Sequence, residues 1–420
     1  MYPDNWYYFS LMHLIDELNI FRMQFQIQIE HAMETIYFDH AATTPVDEQV
    51  LDTMLPFFKT EYGNADSIHQ FGQRAKVALE DARESVARII NAEPSEIIFT
   101  CGGTESNNAA IKGVFEVSGN KKEIISSPIE HHAVFHTVEC TKRQGGRPVY
   151  LAPDHNGMIT AEQVRDAINE NTAMVSLMHV NNELGTINPI KEIAAVCRDK
   201  GVPFHSDCVQ SAGKIPVDVK DLEVDFISIS GHKIYGPKGV GVLYVKNGSP
   251  WVPWMTGGSQ ERRRRGGTSN IPGIVGLAKA LEIITARMED HRSHYLELRK
   301  YLIQKMDQVF GNLYQVNGPA DGGVPHIINI GLKNTGDTKL DGEMLLLNLD
   351  IEGICVSNGS ACTSGAIEPS HVLTGIGLDV DIADSSIRIS FGKDNTIQEV
   401  DRFVEVLQGV LDRMMVVARS

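Results

Sequence analysis

The segment Val224–Asp225–Phe226–Ile227–Ser228–Ile229–Ser230–Gly231–His232–Lys233 joins a β-branched apolar run to a Ser–Gly–His turn that presents one lysine. Such runs form buried strands. Ile234–Tyr235–Gly236–Pro237–Lys238–Gly239 then follows as a Gly/Pro-rich loop. A lysine at the lip of a core strand is partly desolvated, so its pKa falls and its amine is freed to attack a carbonyl. A Schiff-base lysine needs that property, and pyridoxal 5'-phosphate (PLP) is its commonest partner. Two plainer readings stand beside this one. Gly–His–Lys can be an ordinary surface turn. Gly231-x4-Gly236 has the glycine spacing of a P-loop, but Pro237 stands where that loop requires Lys–Ser/Thr.

On the N-terminal side, strand-like and helix-like segments alternate. They are strand 96–100, helix 104–114, strand 123–127, helix 132–143 and strand 149–152. A helix opened by the capping box Thr160-x-x-Gln163, strand 173–180, helix 190–200 stopped by Gly201 and strand 202–206 complete the series. Earlier still, Ala75, Ala78, Leu79, Ala82, Val86, Ile89 and Ile90 mark the buried face of a helix over 73–92. This alternation predicts an α/β fold: a mostly parallel sheet sandwiched by helices, with catalytic groups at the carboxyl ends of its strands. After about Gly273 come helical patterns to 315, strands 324–331 and 387–391, and a closing helix over 396–414. They predict a smaller α+β domain. The expected organisation is an extension over 1–34, a large domain over 35–285 and a small domain over 286–420, with the first residues of the large domain able to pack on the small one.

A chain of 420 residues can bury roughly three quarters of its unfolded surface. Hydrophobic content of 42% and charged content of 22% are ordinary for a globular enzyme. A net charge of −16 argues against nucleic-acid and anionic-membrane partners. The run Arg262–Arg263–Arg264–Arg265 beside Gly266–Gly267–Thr268 is an exception, read as a solvated charge run or a phosphate holder. The six cysteines lack CxxC spacing or any zinc-like pattern. They read as reduced thiols of a cytoplasmic protein without an intrinsic metal. Residues 1–32 have no secretory pattern, and Asp16, Glu17, Arg22 and Glu30 interrupt any membrane span. Leu11, Leu14, Ile15, Leu18 and Phe21 fit one face of a short helix, and no catalytic candidate lies there. The extension is expected to be dispensable.

Other strand ends carry further groups. Asp207 closes Phe204–His205–Ser206–Asp207; it is either a strand-end cap or a partner for a pyridine nitrogen. Gln210, one turn on, can reach a ring hydroxyl. The turn Cys101–Gly102–Gly103–Thr104 opens a helix and can cradle a phosphate, though many αβ connections look alike. His131 follows a strand and can stack on a flat cofactor and shuttle protons, a role His132 can equally claim. Cys362, in Ser357–Asn358–Gly359–Ser360–Ala361–Cys362–Thr363–Ser364, stands among small polar residues, as an accessible loop nucleophile does. Arg388, between Ile387 and Ile389, is costly to bury without an anion, and a substrate carboxylate would satisfy it.

Taken together, these segments resemble the NifS/IscS-type cysteine desulfurases, a branch of the fold-type I PLP enzymes within the class V aminotransferase family. The likeness runs from about Ile36 to Met414. It rests on Tyr37-x-Asp39-x-Ala41–Ala42–Thr43–Thr44–Pro45, Gly103–Thr104–Glu105–Ser106–Asn107, Glu130–His131 and Met178–His179–Val180–Asn181–Asn182–Glu183. It continues with Ser230–Gly231–His232–Lys233, Gly267–Thr268, Gly359–Ser360–Ala361–Cys362–Thr363–Ser364 and Ser386–Ile387–Arg388.

The resemblance implies that Lys233 carries PLP covalently, that Asp207 pairs with its pyridinium and that His131 stacks on it. Gly103, Thr104, Ser230 and His232 would hold the phosphate, joined by Thr268 of a second subunit in a homodimer. Asn182 and Gln210 would meet the ring oxygen side, and Asn182 and Arg388 the substrate carboxylate. The implied activity converts L-cysteine to L-alanine, leaves the sulfur on Cys362 as a persulfide, and passes it to an acceptor protein for iron–sulfur assembly or another thiolation. Cys362 could also ligate a nascent cluster in passing. Cys101 and Cys208 depart from the usual Ser and Ala, and both are expected to point into packed surroundings. Three rival readings are a selenocysteine lyase, a PLP aminotransferase of the same fold, for which a loop thiol is superfluous, and a non-enzymatic sulfur carrier, against which Lys233, Asp207 and His131 argue together.

Overall fold

The computed structural model describes residues 35–334, 339–358 and 369–417. The chain opens with β1 (Ile36–Tyr37), α1 (Glu48–Lys59) and α2 (Gln70–Ile89). Then come β2 (Ile97–Thr100), α3 (Gly103–Val117), β3 (Glu123–Ser126), α4 (His132–Cys140) and β4 (Arg147–Tyr150). The alternation continues through α5 (Ala161–Ala167), β5 (Thr172–Ser176), α6 (Ile190–Asp199), β6 (Phe204–Asp207), β7 (Phe226–Ser230) and β8 (Gly241–Val245). The C-terminal part holds α7 (Ile271–Ala286), α8 (Met288–Phe310), β9 (Tyr314–Asn317) and β10 (Ile327–Leu332). It ends with α9 (Gly342–Ile351), β11 (Ile354–Cys355), β12 (Ser386–Ser390) and α10 (Ile397–Val417).

Seven strands form the central sheet in the order β2-β8-β7-β6-β5-β3-β4. Five of them are parallel from β7 to β4, while β8 runs antiparallel to both its neighbours. Side chains alternate between two apolar layers, as the pleat requires. Ile97 and Phe99 join the layer of α2, α6 and α7, whereas Ile98 joins that of α3 and α4. Local rules set the helix ends. Thr160 and Gln163 make the reciprocal capping box that starts α5, and Gly201 turns the chain after α6 with φ +64°.

A second apolar core gathers α8, β10, β12 and α10 around Leu298, Ile330, Ile389 and Phe403. Ile36 and Phe38 belong to it. The first strand therefore leaves the large sheet's neighbourhood and pairs in parallel with β11, Ile36 opposite Ile354. Phe38 lies edge-on to Phe391 with centroids 5.3 Å apart. The residues just after β1 then cross to the large sheet, where the Thr44 amide donates to the His232 carbonyl. That crossing places Asp39–Ala42 over the ends of the parallel strands.

Candidate active site

Strands β2, β3, β5, β6 and β7, with the loops after them, converge on a cavity of about 590 Å³. Gly103, Thr104, His131, Asn182, Asp207, Gln210, Ser230, His232, Lys233 and Arg388 all line it. Thr268 does not; it is exposed on the loop that follows the arginine run. Cys362 lies outside the described residues, although Ser357 and Asn358, which precede its loop, line the cavity.

Lys233 follows β7 in a single 3-10 turn. Its Nζ donates to the carbonyls of Ala41 and Ala42, each at 2.6 Å. Burial lowers its pKa to about 8, Arg388 adds to the drop, and Asp39 and Asp207 oppose it. Asp207 is fixed at both oxygens: Asn107 Nδ2 donates to Oδ2 at 2.7 Å and the Val209 N–H to Oδ1 at 2.9 Å. Asn107 comes from the buried face of α3, so the helix behind the glycine turn also orients this carboxylate.

His131 caps α4, its Nδ1 accepting the Ala133 N–H at 3.1 Å. In the neutral ring the proton therefore sits on Nε2. Burial lowers its pKa, with Lys233 also lowering it and Asp207 opposing. His132 is distinguished by its packing: its ring stacks on His136 at 5.0 Å and 8° and meets His371 at 4.4 Å.

The glycine turn is constrained at both positions, by backbone conformation at Gly102 and by space at Gly103. Gly102 has φ +152°, and a Cβ on Gly103 would fall 2.7 Å from Val209 Cγ2. The first N–H groups of α3 have no intrahelical acceptor and point out of this turn. His232 lies across from it, with Nδ1 3.2 Å from Thr43 Oγ1, and burial lowers its pKa to about 4. Gln210 Nε2 donates to the Ala41 carbonyl at 2.9 Å, joining the Lys233 anchor.

Arg388, on β12, meets an anion that the sequence reading left without a role. Its Nη2 is 2.7 Å from Asp39 Oδ1, and its Nη1 donates to the Asn182 carbonyl at 3.0 Å. Arg388 Nε and Asn182 Oδ1 are buried and have no partner among the described residues. Two carboxyls behind them were also missed. Glu183 Oε2 accepts the Ser370 hydroxyl at 2.5 Å, and Glu130 Oε1 accepts the Met178 N–H at 3.0 Å. Burial raises the pKa of both. Each stands in a quoted motif, beside His131 or Asn182, but nothing local shows that a Glu in a loop is buried.

Two expectations are corrected. Cys101 is exposed rather than packed, because the turn carries it past the end of β2. Burial of its thiol and then Glu105 still raise its pKa to about 11. Cys208 is fully buried and lifted to about 12 by that burial. Nor is the arginine run simply solvated. Arg262 pairs with Glu80, Arg264 donates to the Ser95 carbonyl, and Arg265 grips Glu105 at 2.8 and 3.1 Å.

Comparison with known proteins gives the family. The aminotransferase class-V family description matches residues 36–403. The cysteine desulfurase IscS of Dictyoglomus turgidum (strain DSM 6724 / Z-1310) is 42% identical over 384 residues, covering 91% of this chain and 96% of that one. A solved NifS-like protein superposes with a TM-score of 0.83 at 37% identity, covering 90% of this chain and 99% of that one. A structure described as SspA in complex with cysteine gives a TM-score of 0.75 at 38% identity, covering 86% and 100%. A nearly full-length family match, together with a buried lysine and a fixed aspartate at neighbouring strand ends, places the chain in the class-V aminotransferase family.

Proposed function

We infer that this protein is a cysteine desulfurase that converts L-cysteine to L-alanine and delivers the sulfur as an enzyme persulfide. The observation that carries the reading is the convergence on one cavity of Lys233, Asp207, His131 and Arg388 with the residues leading into the Cys362 loop. The Dictyoglomus turgidum relative is described as a cysteine desulfurase, and one solved neighbour is described with cysteine.

PLP fits the residues present. A lysine with a lowered pKa suits an aldehyde, Asp207 suits a pyridinium, and the His131 ring suits a flat heterocycle. The side-chain-free turn at Gly102–Gly103, with Thr104, Ser230 and neutral His232, suits a phosphate. When bound, PLP supplies an electron sink conjugated to the substrate's α-carbon. The chain's own groups do the rest. Arg388 Nε and the Asn182 side chain orient the substrate carboxylate. Lys233 Nζ, freed by the substrate amine, moves the proton at the α-carbon. His131, whose Nδ1 is engaged in the helix cap, has its Nε2–H to donate or hold a proton in the cavity. The Cys362 thiolate attacks the substrate sulfur; an S–S bond forms as the Cβ–S bond breaks, and protonation of carbon completes alanine.

A homodimer, with Thr268 of each subunit reaching the other's phosphate, belongs to the same reading, as do a sulfur-acceptor protein and a cytoplasmic location. Thr268 is exposed and away from its own cavity, which supports the exchange. Among the described residues no helix is long and apolar enough to cross a membrane, and no group of residues is placed to hold a metal ion. The test is direct: purified protein supplied with L-cysteine and a thiol reductant should form alanine and sulfide in equal amounts. Transamination to a keto acid without sulfide would sink the reading.

A further inference from the structure

An acidic residue follows directly on the turn read above as a phosphate cradle. Glu105 is the third residue of α3, and its side chain is only 3% exposed. Its Oε2 accepts the Cys101 N–H at 2.6 Å, so its carboxylate occupies the positive end of the helix. Burial opposes ionisation there, but Arg265 and the Cys101 contacts hold its pKa below the usual range. Glu105 does not line the cavity, but it is a resident anion directly behind the turn where a dianionic phosphate is to bind, and like charges at such a separation repel.

Arg265 addresses that charge. It makes a fork to both oxygens, Nε–Oε1 at 2.8 Å and Nη2–Oε2 at 3.1 Å, the geometry in which guanidinium and carboxylate neutralise each other best. Its own position is set by the neighbouring Arg264, which donates to the Ser95 carbonyl just before β2, and by Glu261, buried against Arg83. Arg265 also sets the start of the Gly266–Gly267–Thr268 turn; a Cβ on Gly267 would fall 3.2 Å from its Nη1.

We propose that Arg265 is a positioning residue for the cofactor phosphate: by cancelling the charge of Glu105 behind the turn that opens α3, it makes that turn an anion site, and Glu105 in return ties the turn to the segment carrying Thr268. The proposal rests on the PLP reading above. It separates Arg265 from the three arginines before it, and gives the run a purpose that a solvated charge stretch does not have.

The test compares PLP with pyridoxal, which lacks the phosphate, by equilibrium binding to protein freed of cofactor. Arg265→Met should weaken PLP roughly ten- to thirtyfold, the effect of one uncompensated charge about 8–12 Å away at an effective dielectric near 20, and leave pyridoxal within about twofold. Adding Glu105→Gln to that variant removes the stranded charge, and PLP binding should return to within about threefold of wild type. If Arg265→Met does not fold, Arg265→Lys carries the test, since it keeps the charge and should keep most of the PLP affinity. Equal losses for PLP and pyridoxal, no recovery in the double variant, or a tenfold loss in Arg265→Lys would overturn the proposal. Wild-type protein that binds neither aldehyde would instead overturn the PLP reading itself.

Discussion

Lys233 gives its protons to two backbone carbonyls, Ala41 and Ala42, yet burial still brings its pKa to about 8. Only the neutral amine attacks an aldehyde, and it becomes the major form as pH rises through that value. The rate at which cofactor-free protein captures PLP should therefore climb to about pH 8 and then level off. An unperturbed lysine, titrating near 10.4, would keep accelerating past pH 10, and stopped-flow absorbance distinguishes the two profiles. Cys362 carries a separate prediction. Cys362→Ala leaves Lys233 and Asp207 in place, so the variant should still bind PLP while sulfide release falls at least ~10²-fold. Near-normal turnover, or a persulfide found by mass spectrometry on Cys101 or Cys208, would remove Cys362 from the mechanism. The two other thiols are poor rivals, because both have raised pKa values. At this scale the sequence shows groups that sit at strand ends, where periodicity stops and a polar residue follows at once. It hides groups defined by a distant partner. Asp39 meets Arg388 across 349 residues and Asn107 meets Asp207 across 100, and neither separation leaves a local mark.

The segment Gln260–Arg263 shows how one element is held for function. Glu261, Arg262 and Arg263 all have left-handed backbone, with φ 46°, 58° and 65°. Each such residue costs an L-amino acid roughly 1–2 kcal/mol. The compensation is visible: Glu261 accepts both terminal nitrogens of Arg83, at 2.8 and 2.9 Å, and the Phe99 N–H at 2.9 Å. Arg83 and Glu261 side chains are 2% and 4% exposed. Glu261→Ala would leave the buried Arg83 guanidinium with only Glu80 and the Ile97 carbonyl, and the expected loss is about 3 kcal/mol, the lower end for breaking a buried pair. Denaturant unfolding of the cofactor-free protein measures it, and a loss below about 1 kcal/mol would show that the turn does not need the pair. The alternating elements from β2 to β7 were legible because buried strands and capped helices carry local signals, Thr160–Gln163 among them. Strand β8 was not, since the Gly/Pro loop before Gly241–Val245 marks a turn without saying whether the next strand runs back antiparallel or crosses over. Packing of the first residues on the small domain was foreseen, but the pairing of β1 with β11 was not, because two residues carry no mark of a partner strand some 318 residues away.

At the scale of the whole molecule, the cavity has walls from two cores. The large sheet brings Lys233, Asp207 and His131, while β12 of the smaller core brings Arg388. Thr268 is left outside, and its surroundings say where it points. Gln260 Nε2 donates to Asp66 Oδ2 at 2.7 Å, and the Gly267 N–H donates to Gln260 Oε1 at 3.3 Å. The Thr268 turn is thereby tied to the connection between α1 and α2. In that connection Tyr62 and Ile68 are 69% and 92% exposed, and on the flanking helices Phe58 of α1 and Val77 of α2 are 61% and 59% exposed. Scattered apolar residues on a surface need no explanation, but four on one helix–connection–helix segment, tied to a turn that serves no site of its own, invite one. A second copy seated there would cover the apolar side chains and carry its Thr268 toward this cavity, so one surface would account for both observations. Ile68→Asp combined with Phe58→Asp places two charges where apolar contact is expected and touches no residue lining the cavity. Multi-angle light scattering should find wild type at twice the chain mass and the double variant at the chain mass. The same variant should bind PLP more weakly, because each phosphate would lose the hydroxyl supplied by the other subunit. A wild-type monomer, or a monomeric variant that keeps full PLP affinity and turnover, would show that each active site is complete within one chain.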